Sequence, residues 1–200
     1  MPELILASGS PYRRELLSRL GLSFSVVSPG VDERAEAAES GIDMARRLAL
    51  LKARAIAARY PDAVVIGSDQ VAECAGSKLG KPGTVERATE QLSFCSGHEV
   101  VFHTAVAVIG NGREHIEVVP TRVRMRQLTR DVIERYIEKD RPLDCAAAMK
   151  SEALGIALAE AITSDDPTAL VGLPLIAVTG MLADAGLPVL GALPHDPPAQ

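Results

Sequence analysis

Residues 4–14 read LILASGSPYRR, and this stretch decides the fold class of the chain. The apolar run from Leu4 to Ala7 predicts a short buried strand. Ser10 is a favourable N-cap and Pro11 a favourable first residue of a helix, which we expect to end at Gly21. A strand that passes through a short loop into a helix indicates an α/β domain.

The rest of the chain predicts a mixed central sheet flanked by helices. Further helices are expected from a cap at Asp43 to Tyr60, and over Thr84–Cys95, Asp131–Lys139 and Pro174–Ala185. Further strands are expected at Phe24–Val27, Ala63–Gly67, His98–Ile109, His115–Leu128 and Gly155–Ala159. Residues 110–112, Gly-Asn-Gly, are a strong hairpin signal, so part of the sheet is antiparallel. We expect one domain over 1–193 and a disordered tail over 194–200.

Composition limits the classes of function. The 200 residues contain 21 Lys and Arg against 26 Asp and Glu, a net charge of −5 that disfavours binding to a nucleic-acid polymer. No signal peptide or membrane span is predicted, so we expect a cytoplasmic protein without a membrane partner. Three dispersed cysteines, Cys74, Cys95 and Cys145, fit neither a disulfide framework nor a zinc site.

The first helix begins with an unusual pair of charges. Arg13 and Arg14 lie in its opening turn, where the helix dipole disfavours bases. Unpaired backbone N–H groups, the hydroxyls of Ser8 and Ser10 and the planar guanidinium of Arg13 together form a cradle for an anion such as phosphate. The structural alternative is that both arginines point into water.

Four further charged residues are candidates for the same site. Asp69 follows a predicted strand, where open α/β sheets commonly place ligand-binding groups. Lys81, in a Gly-Lys-Pro turn, and Lys52, on the second helix, are positive charges suited to polyphosphate. Glu33 lies in an acidic loop, and a Mg²⁺ site needs only one or two carboxylates plus substrate phosphates. A loop cap, a solvated turn and a lysine that snorkels past apolar neighbours are the ordinary alternatives.

Matching motifs occur in one order along the chain: LILASGSPYRRELLSRLG, VDE, LLKARAIA, VIGSDQV, LGKP, SGHEVVFHTAVAV and LVGLPL. Through these motifs the chain resembles the Maf family of nucleotide pyrophosphatases from about Leu4 to Gly191. The resemblance implies a Maf/inosine-triphosphatase-like α/β fold with an active-site cleft between two lobes. It also implies a homodimer that cleaves a nucleoside triphosphate substrate to its monophosphate and pyrophosphate.

The resemblance further implies a role for each candidate residue. Four side chains would hold the triphosphate: Ser8, Arg13, Lys52 and Lys81. Glu33 and Asp69 would ligate a divalent metal cation, Mg²⁺ or Mn²⁺, and Asp69 would also be the proton acceptor. This division is chemically reasonable, because a positioned base must deprotonate water while cations neutralise charge on the leaving pyrophosphate.

Three positions concern the choice of base. Within the family, the subgroup that acts on dTTP and UTP carries arginine, threonine and glutamine where this chain has Tyr12, Gln70 and Glu152. The chain instead resembles the subgroup that hydrolyses 7-methyl-GTP. N7-methylation gives the purine a positive charge, against which an aromatic ring can stack and which a carboxylate attracts. The alternative is that Tyr12 is a packing residue and Glu152 a surface charge.

The chain departs from the family pattern at several positions. Tryptophan is expected at Tyr12, and glycine at Ala105, Ala147 and Ala153, where alanine would narrow a pocket that needs close backbone approach. Two other functions stay open, a regulator of cell division and septum formation that binds nucleotide with little turnover, and a dTTP/UTP pyrophosphatase. Asp69 favours an enzyme, because a carboxylate beside bound phosphates repels them unless a metal or catalysis requires it.

Overall fold

The computed structural model describes residues 2–36 and 38–191, and the tail expected at 194–200 lies outside the described residues. The described chain forms an α/β structure around a seven-stranded sheet. The strands are β1 (Leu4–Ala7), β2 (Ser25–Val26), β3 (Val64–Cys74), β4 (Ser77–Leu79), β5 (Glu99–Gly110), β6 (Arg113–Met125) and β7 (Ala159–Ser164). The α-helices are α1 (Pro11–Ser18), α2 (Gly41–Ala57), α3 (Val85–Cys95), α4 (Arg130–Asp140) and α5 (Leu175–Asp184).

The sheet is mixed, which confirms the sequence prediction. Its order is β2-β1-β3-β5-β6-β7, and β4 pairs with β3. β1 runs parallel to β2 and β3, whereas the other pairs are antiparallel. β5 and β6 are joined at Asn111 and Gly112, whose φ angles of 51° and 70° suit a two-residue hairpin turn. Within the described ranges we find no helix with the length and apolar character needed to cross a membrane.

The β1–α1 unit forms as its local sequence predicts. The side chain of Ser10 caps α1 and accepts the backbone N–H of Arg13 at 3.4 Å, with Pro11 as the first helical residue. Because capping and proline geometry act within a few residues, this unit depends little on the rest of the fold.

The cap predicted for α2 and the strand predicted at 155–159 were wrong. Ser40 caps α2, not Asp43: the Ser40 Oγ accepts the Asp43 backbone N–H at 3.2 Å, and the Asp43 carboxylate accepts a hydrogen bond from the Ser40 hydroxyl. The strand expected at 155–159 is a 3₁₀ turn, Leu154–Leu158, and β7 follows it. The Gly155 backbone N–H donates to the Lys150 carbonyl at 3.0 Å, and a Cβ at residue 155 would lie only 2.5 Å from that carbonyl oxygen, so this turn requires glycine.

β3 is longer than predicted, which places Asp69 within the strand and not after its end. The strand continues because β5 pairs with it antiparallel from Val65 to Cys74. On the opposite edge, β1 pairs only with residues 64–67 and β4 only with residues 72–74. Residues 68–71 therefore have no strand neighbour on that side within the described chain, and the sheet is open there.

Helices cover both faces of the sheet. One face packs against α2, and Gly67 permits a very close approach, since a Cβ at this position would lie 2.4 Å from the Ala49 carbonyl oxygen. Side chains alternate between the faces of a strand. The opposite face carries α1 and α5 beside β1, and α3 and α4 beside the far end of β3. These two helical layers flank the opening at residues 68–71.

Candidate active site

A cleft of about 800 Å³ lies at this opening. Ser8 and α1 border it on one side and the loop after β4 on the other. It is lined by the nine side chains to which the family resemblance gives a role: Ser8, Tyr12, Arg13, Glu33, Lys52, Asp69, Gln70, Lys81 and Glu152. Residues separated by up to 144 positions in sequence thus share one cavity.

Lys52 is the central cation of the cleft. Its Nζ lies 2.6 Å from Oδ1 of Asp69 and 2.9 Å from Oε1 of Glu33. The Lys52 and Asp69 side chains are only 6% and 10% exposed, whereas that of Glu33 is 57% exposed. The alternative in which Lys52 merely snorkels to solvent is therefore wrong. The close packing of α2 on Gly67 brings the ammonium to the strand that carries Asp69.

Arg13 is fixed by a backbone carbonyl. Its Nε donates to the carbonyl oxygen of Gly172 at 2.8 Å, and the Ser68 hydroxyl lies 3.0 Å from the same oxygen. Gly172 has a φ of 120°, which favours glycine. Burial lowers the pKa of Arg13, while Asp69 and Glu33 act in the opposite direction. With Nε anchored, the terminal guanidinium nitrogens can bind an anion, and the alternative of a solvated Arg13 is wrong.

Ser8 and Lys81 both line the cleft. Ser8 follows β1 directly and is buried, and its Oγ accepts the Ser10 backbone N–H at 3.1 Å. Lys81 is exposed in the loop after β4 and forms no ion pair with any described residue. The lining of the cleft thus combines a hydroxyl with three cationic side chains, a set of groups suited to a polyphosphate.

Two carboxylates converge where a divalent cation would be needed. Glu33 and Asp69 both reach Lys52 Nζ, so their oxygens approach one point. Within the described ranges, no cluster of three or more His, Cys, Asp or Glu side chains is arranged to hold a metal alone. Mg²⁺ commonly binds through one or two carboxylates plus substrate phosphates, so this pair fits such an ion when a nucleotide is present.

A second group of side chains in the cleft is built around Tyr12. Its hydroxyl donates to the Asp144 carboxylate, with distances of 3.2 and 3.4 Å to the two oxygens. The ammonium of Lys150 lies 5.8 Å from the ring centroid. Burial raises the pKa of Tyr12, and Cys145 and Asp144 add to the effect. Glu152 lines the same region and is exposed.

Gln70 joins the sheet to the loop before α5. Its Nε2 lies 2.9 Å from the Thr104 hydroxyl and 3.1 and 3.0 Å from the carbonyl oxygens of Ala169 and Leu170. The hydrogen-bond donors of the Gln70 amide are therefore satisfied by other groups of the protein. Its carbonyl oxygen is the group that Gln70 can offer to a ligand.

The alanines at expected glycine positions do not narrow the cleft. Ala105 is fully buried in β5, and neither it nor Ala147 or Ala153 lines the cavity. Ala147 has a φ of 52°, a conformation that glycine adopts more easily. The backbone conformation at residue 147 therefore accounts for the glycine in the family pattern, and no contact with a ligand is needed to explain it.

Sequence reasoning missed three residues that shape the cleft. Gly172 lies in the LVGLPL motif and Asp144 lies outside the quoted motifs, and only their tertiary contacts reveal what they do. Asp166 is buried, and its carboxylate accepts backbone N–H groups from Ile176 at 2.6 Å and Thr168 at 2.9 Å. It holds the loop that presents the Gly172 carbonyl. The signal in the sequence that could have identified Asp166 is its position shortly before the helix predicted at Pro174–Ala185.

Comparison with known proteins identifies relatives along nearly the whole chain. The Maf-like protein family matches residues 3–185. A 7-methyl-GTP pyrophosphatase from Aromatoleum aromaticum is 56% identical over 187 residues, which cover 92% of this chain and 96% of that protein. Proteins of the same name from Xanthomonas axonopodis pv. citri and Albidiferax ferrireducens are 54% and 52% identical, and cover 94% and 95% of this chain and 100% and 96% of their own lengths.

Proposed function

We propose, because this chain belongs to the Maf-like protein family, that it hydrolyses 7-methyl-GTP to 7-methyl-GMP and pyrophosphate. Similar proteins of that name, at 52–56% identity over almost their full lengths, support the proposal. Its strongest structural support is the buried Lys52 ammonium that joins Asp69 and Glu33 beside Arg13. The reaction would remove a modified nucleotide from the cytoplasmic pool.

In this proposal Asp69 is the proton acceptor. Asp69 takes a proton from water as the water oxygen forms a bond to the α-phosphorus and the bond to the bridging oxygen breaks. Lys52 fixes the carboxylate through its 2.6 Å contact, so the base is oriented before substrate arrives. Pyrophosphate leaves with the electrons of the broken bond.

The cationic end of the cleft binds the triphosphate. Arg13, anchored at Nε by Gly172, offers its terminal nitrogens to phosphate oxygens, and Ser8 contributes a hydroxyl. Lys81, exposed in the lining of the same cleft, adds a positive point charge. Such groups stabilise charge that develops on the leaving pyrophosphate, which provides most of the catalysis in phosphoryl transfer.

Glu33 and Asp69 are the proposed ligands of the divalent metal. Bound Mg²⁺ or Mn²⁺ would neutralise charge on the phosphate oxygens. Glu33 suits this role because it is half-exposed on a loop that borders the cleft. Its carboxylate can therefore release the Lys52 ammonium and bind the metal ion instead. A homodimer, implied by the family resemblance, and a cytoplasmic location, expected from the sequence alone, stay predictions.

Product analysis tests the reaction class. The purified protein is incubated with 7-methyl-GTP and Mg²⁺, and the products are followed by ³¹P NMR. We expect equal amounts of pyrophosphate and 7-methyl-GMP, and no reaction after chelation of the metal. Release of orthophosphate with 7-methyl-GDP would contradict the assigned bond cleavage. Tight nucleotide binding without any product would instead favour the regulatory alternative.

A further inference from the structure

The part of the cleft that contains Tyr12, Asp144 and Glu152 is called the base end here. The contact between Tyr12 and Asp144 links two elements of the fold at this end. Tyr12 belongs to the first turn of α1, and Asp144 to the loop after α4. The hydroxyl of Tyr12 donates to the Asp144 carboxylate at 3.2 Å. Both side chains line the cleft. Asp144 is exposed and forms no ion pair with any described residue; besides Tyr12, its carboxylate accepts only a weak hydrogen bond from the Cys145 thiol at 3.7 Å among the described contacts.

The face of the same ring is already in contact with a cation. Lys150 Nζ lies 5.8 Å from the Tyr12 centroid, within the distance at which an ammonium is attracted by an aromatic face. A tyrosine hydroxyl is protonated at neutral pH, and burial raises the pKa of Tyr12 further, so the group remains a donor. A phenol that donates a hydrogen bond to a carboxylate is polarised, which makes its ring more attractive to a cation.

We propose that Asp144 is a further specificity-determining residue, which acts through the Tyr12 hydroxyl to orient and polarise the ring as a platform for a positively charged purine. This inference rests on the proposed function and concerns the base end of the same site. It predicts that loss of the Asp144 charge lowers kcat/KM for 7-methyl-GTP and has much less effect on kcat/KM for GTP, whose guanine carries no charge. The role would differ from that of Glu152, which attracts the base directly.

A double-mutant cycle tests this coupling. The kcat/KM values for 7-methyl-GTP and GTP are measured in the wild type, Asp144→Asn, Tyr12→Phe and the double variant. We expect Asp144→Asn to lower the ratio of the two values about fivefold, the scale of a partly exposed cation–π contact, mainly through a higher KM for 7-methyl-GTP. In the Tyr12→Phe background, the same substitution should change the ratio less than about twofold.

Two further variants make the test specific. Asp62→Asn removes one exposed carboxylate outside the cleft and should leave the ratio unchanged. Tyr12→Trp supplies a strong cation–π partner without a phenol hydroxyl. Adding Asp144→Asn to this variant should therefore change the ratio of the two kcat/KM values very little. Circular dichroism confirms that each variant is folded.

The outcomes separate this inference from the proposed function. An unchanged ratio in Asp144→Asn, with the wild type still preferring 7-methyl-GTP, would overturn the inference alone. If Asp144→Asn lowered the ratio as much in the Tyr12→Phe variant as in the wild type, the inference would also be overturned, because Asp144 would then act by its own charge and not through the Tyr12 hydroxyl. A wild type without preference for 7-methyl-GTP would overturn the proposed substrate and the inference together.

Discussion

At the phosphate end of the cleft, Lys52, Asp69 and Glu33 are already paired with one another, whereas at the base end Glu152 and Asp144 face solvent. Lys52 and Asp69 are almost completely buried and in contact, and Arg13 is anchored by a carbonyl. Glu152 and Asp144 are exposed. The difference teaches that the proposed chemistry depends on preorganised groups, whereas base preference depends on a few exposed side chains that can change without disturbing the fold.

The largest effect should come from Asp69→Asn at the phosphate end. An amide cannot accept the proton from water, so we expect kcat to fall by about a thousandfold. Much of the nucleotide affinity should remain, because the cationic side chains are unchanged. Pyrophosphate release measures turnover, and calorimetric titration measures binding. Asp62→Asn, on the surface before β3, is the control and should keep wild-type turnover. Near-normal activity of Asp69→Asn would remove Asp69 from its role.

Gly67→Ala should disturb the packing that prearranges this end. The new Cβ would lie 2.4 Å from a carbonyl oxygen of α2, so the helix must shift. We expect a loss of about 2 kcal/mol in the free energy of unfolding, the usual cost of overpacking, measured by urea denaturation. Gly180→Ala in α5 has open space around its Cβ and should stabilise the protein slightly. Equal stability of the Gly67 variant and the wild type would show that α2 is not constrained there.

Glu33→Gln should weaken the proposed metal site without removing the base. We expect the Mg²⁺ concentration for half-maximal activity to rise about tenfold, because a neutral amide binds a hard cation less strongly than a carboxylate. Asp32→Asn is a matched control, since Asp32 pairs with Arg34 outside the cleft and should not alter the Mg²⁺ requirement. An unchanged Mg²⁺ requirement in Glu33→Gln would exclude Glu33 as a ligand.

The smallest effect is expected from Glu152→Gln at the exposed base end. Loss of this charge should reduce the preference for 7-methyl-GTP over GTP about fivefold, as a ratio of kcat/KM values, because solvent weakens its attraction for the base. Glu160→Gln, on β7 outside the cleft, provides the control. If both variants keep the wild-type ratio, Glu152 is a bystander.

Local signals predicted the elements that local interactions determine. Ser10 and Pro11 fixed the start of α1, and residues 110–112 fixed the hairpin. The length of β3 was missed because it depends on pairing with β5, which is distant in sequence. Strand pairing of this kind cannot be read from a short window.

The candidate site shows the same division. Charge type and order along the chain nominated Lys52 and Asp69, but their contact requires α2 to pack on Gly67. Asp144 was missed because nothing in its neighbourhood distinguishes it from an ordinary surface carboxylate. Only the fold brings it to the hydroxyl of Tyr12.

A substrate panel tests the central claim most directly. The rate of pyrophosphate release is measured with Mg²⁺ for 7-methyl-GTP, GTP, dTTP and UTP under identical conditions, and kcat/KM is compared. We predict the highest value for 7-methyl-GTP, by about tenfold or more, because only this base carries a positive charge toward Tyr12 and Glu152. Equal or higher activity on dTTP or UTP would contradict the account.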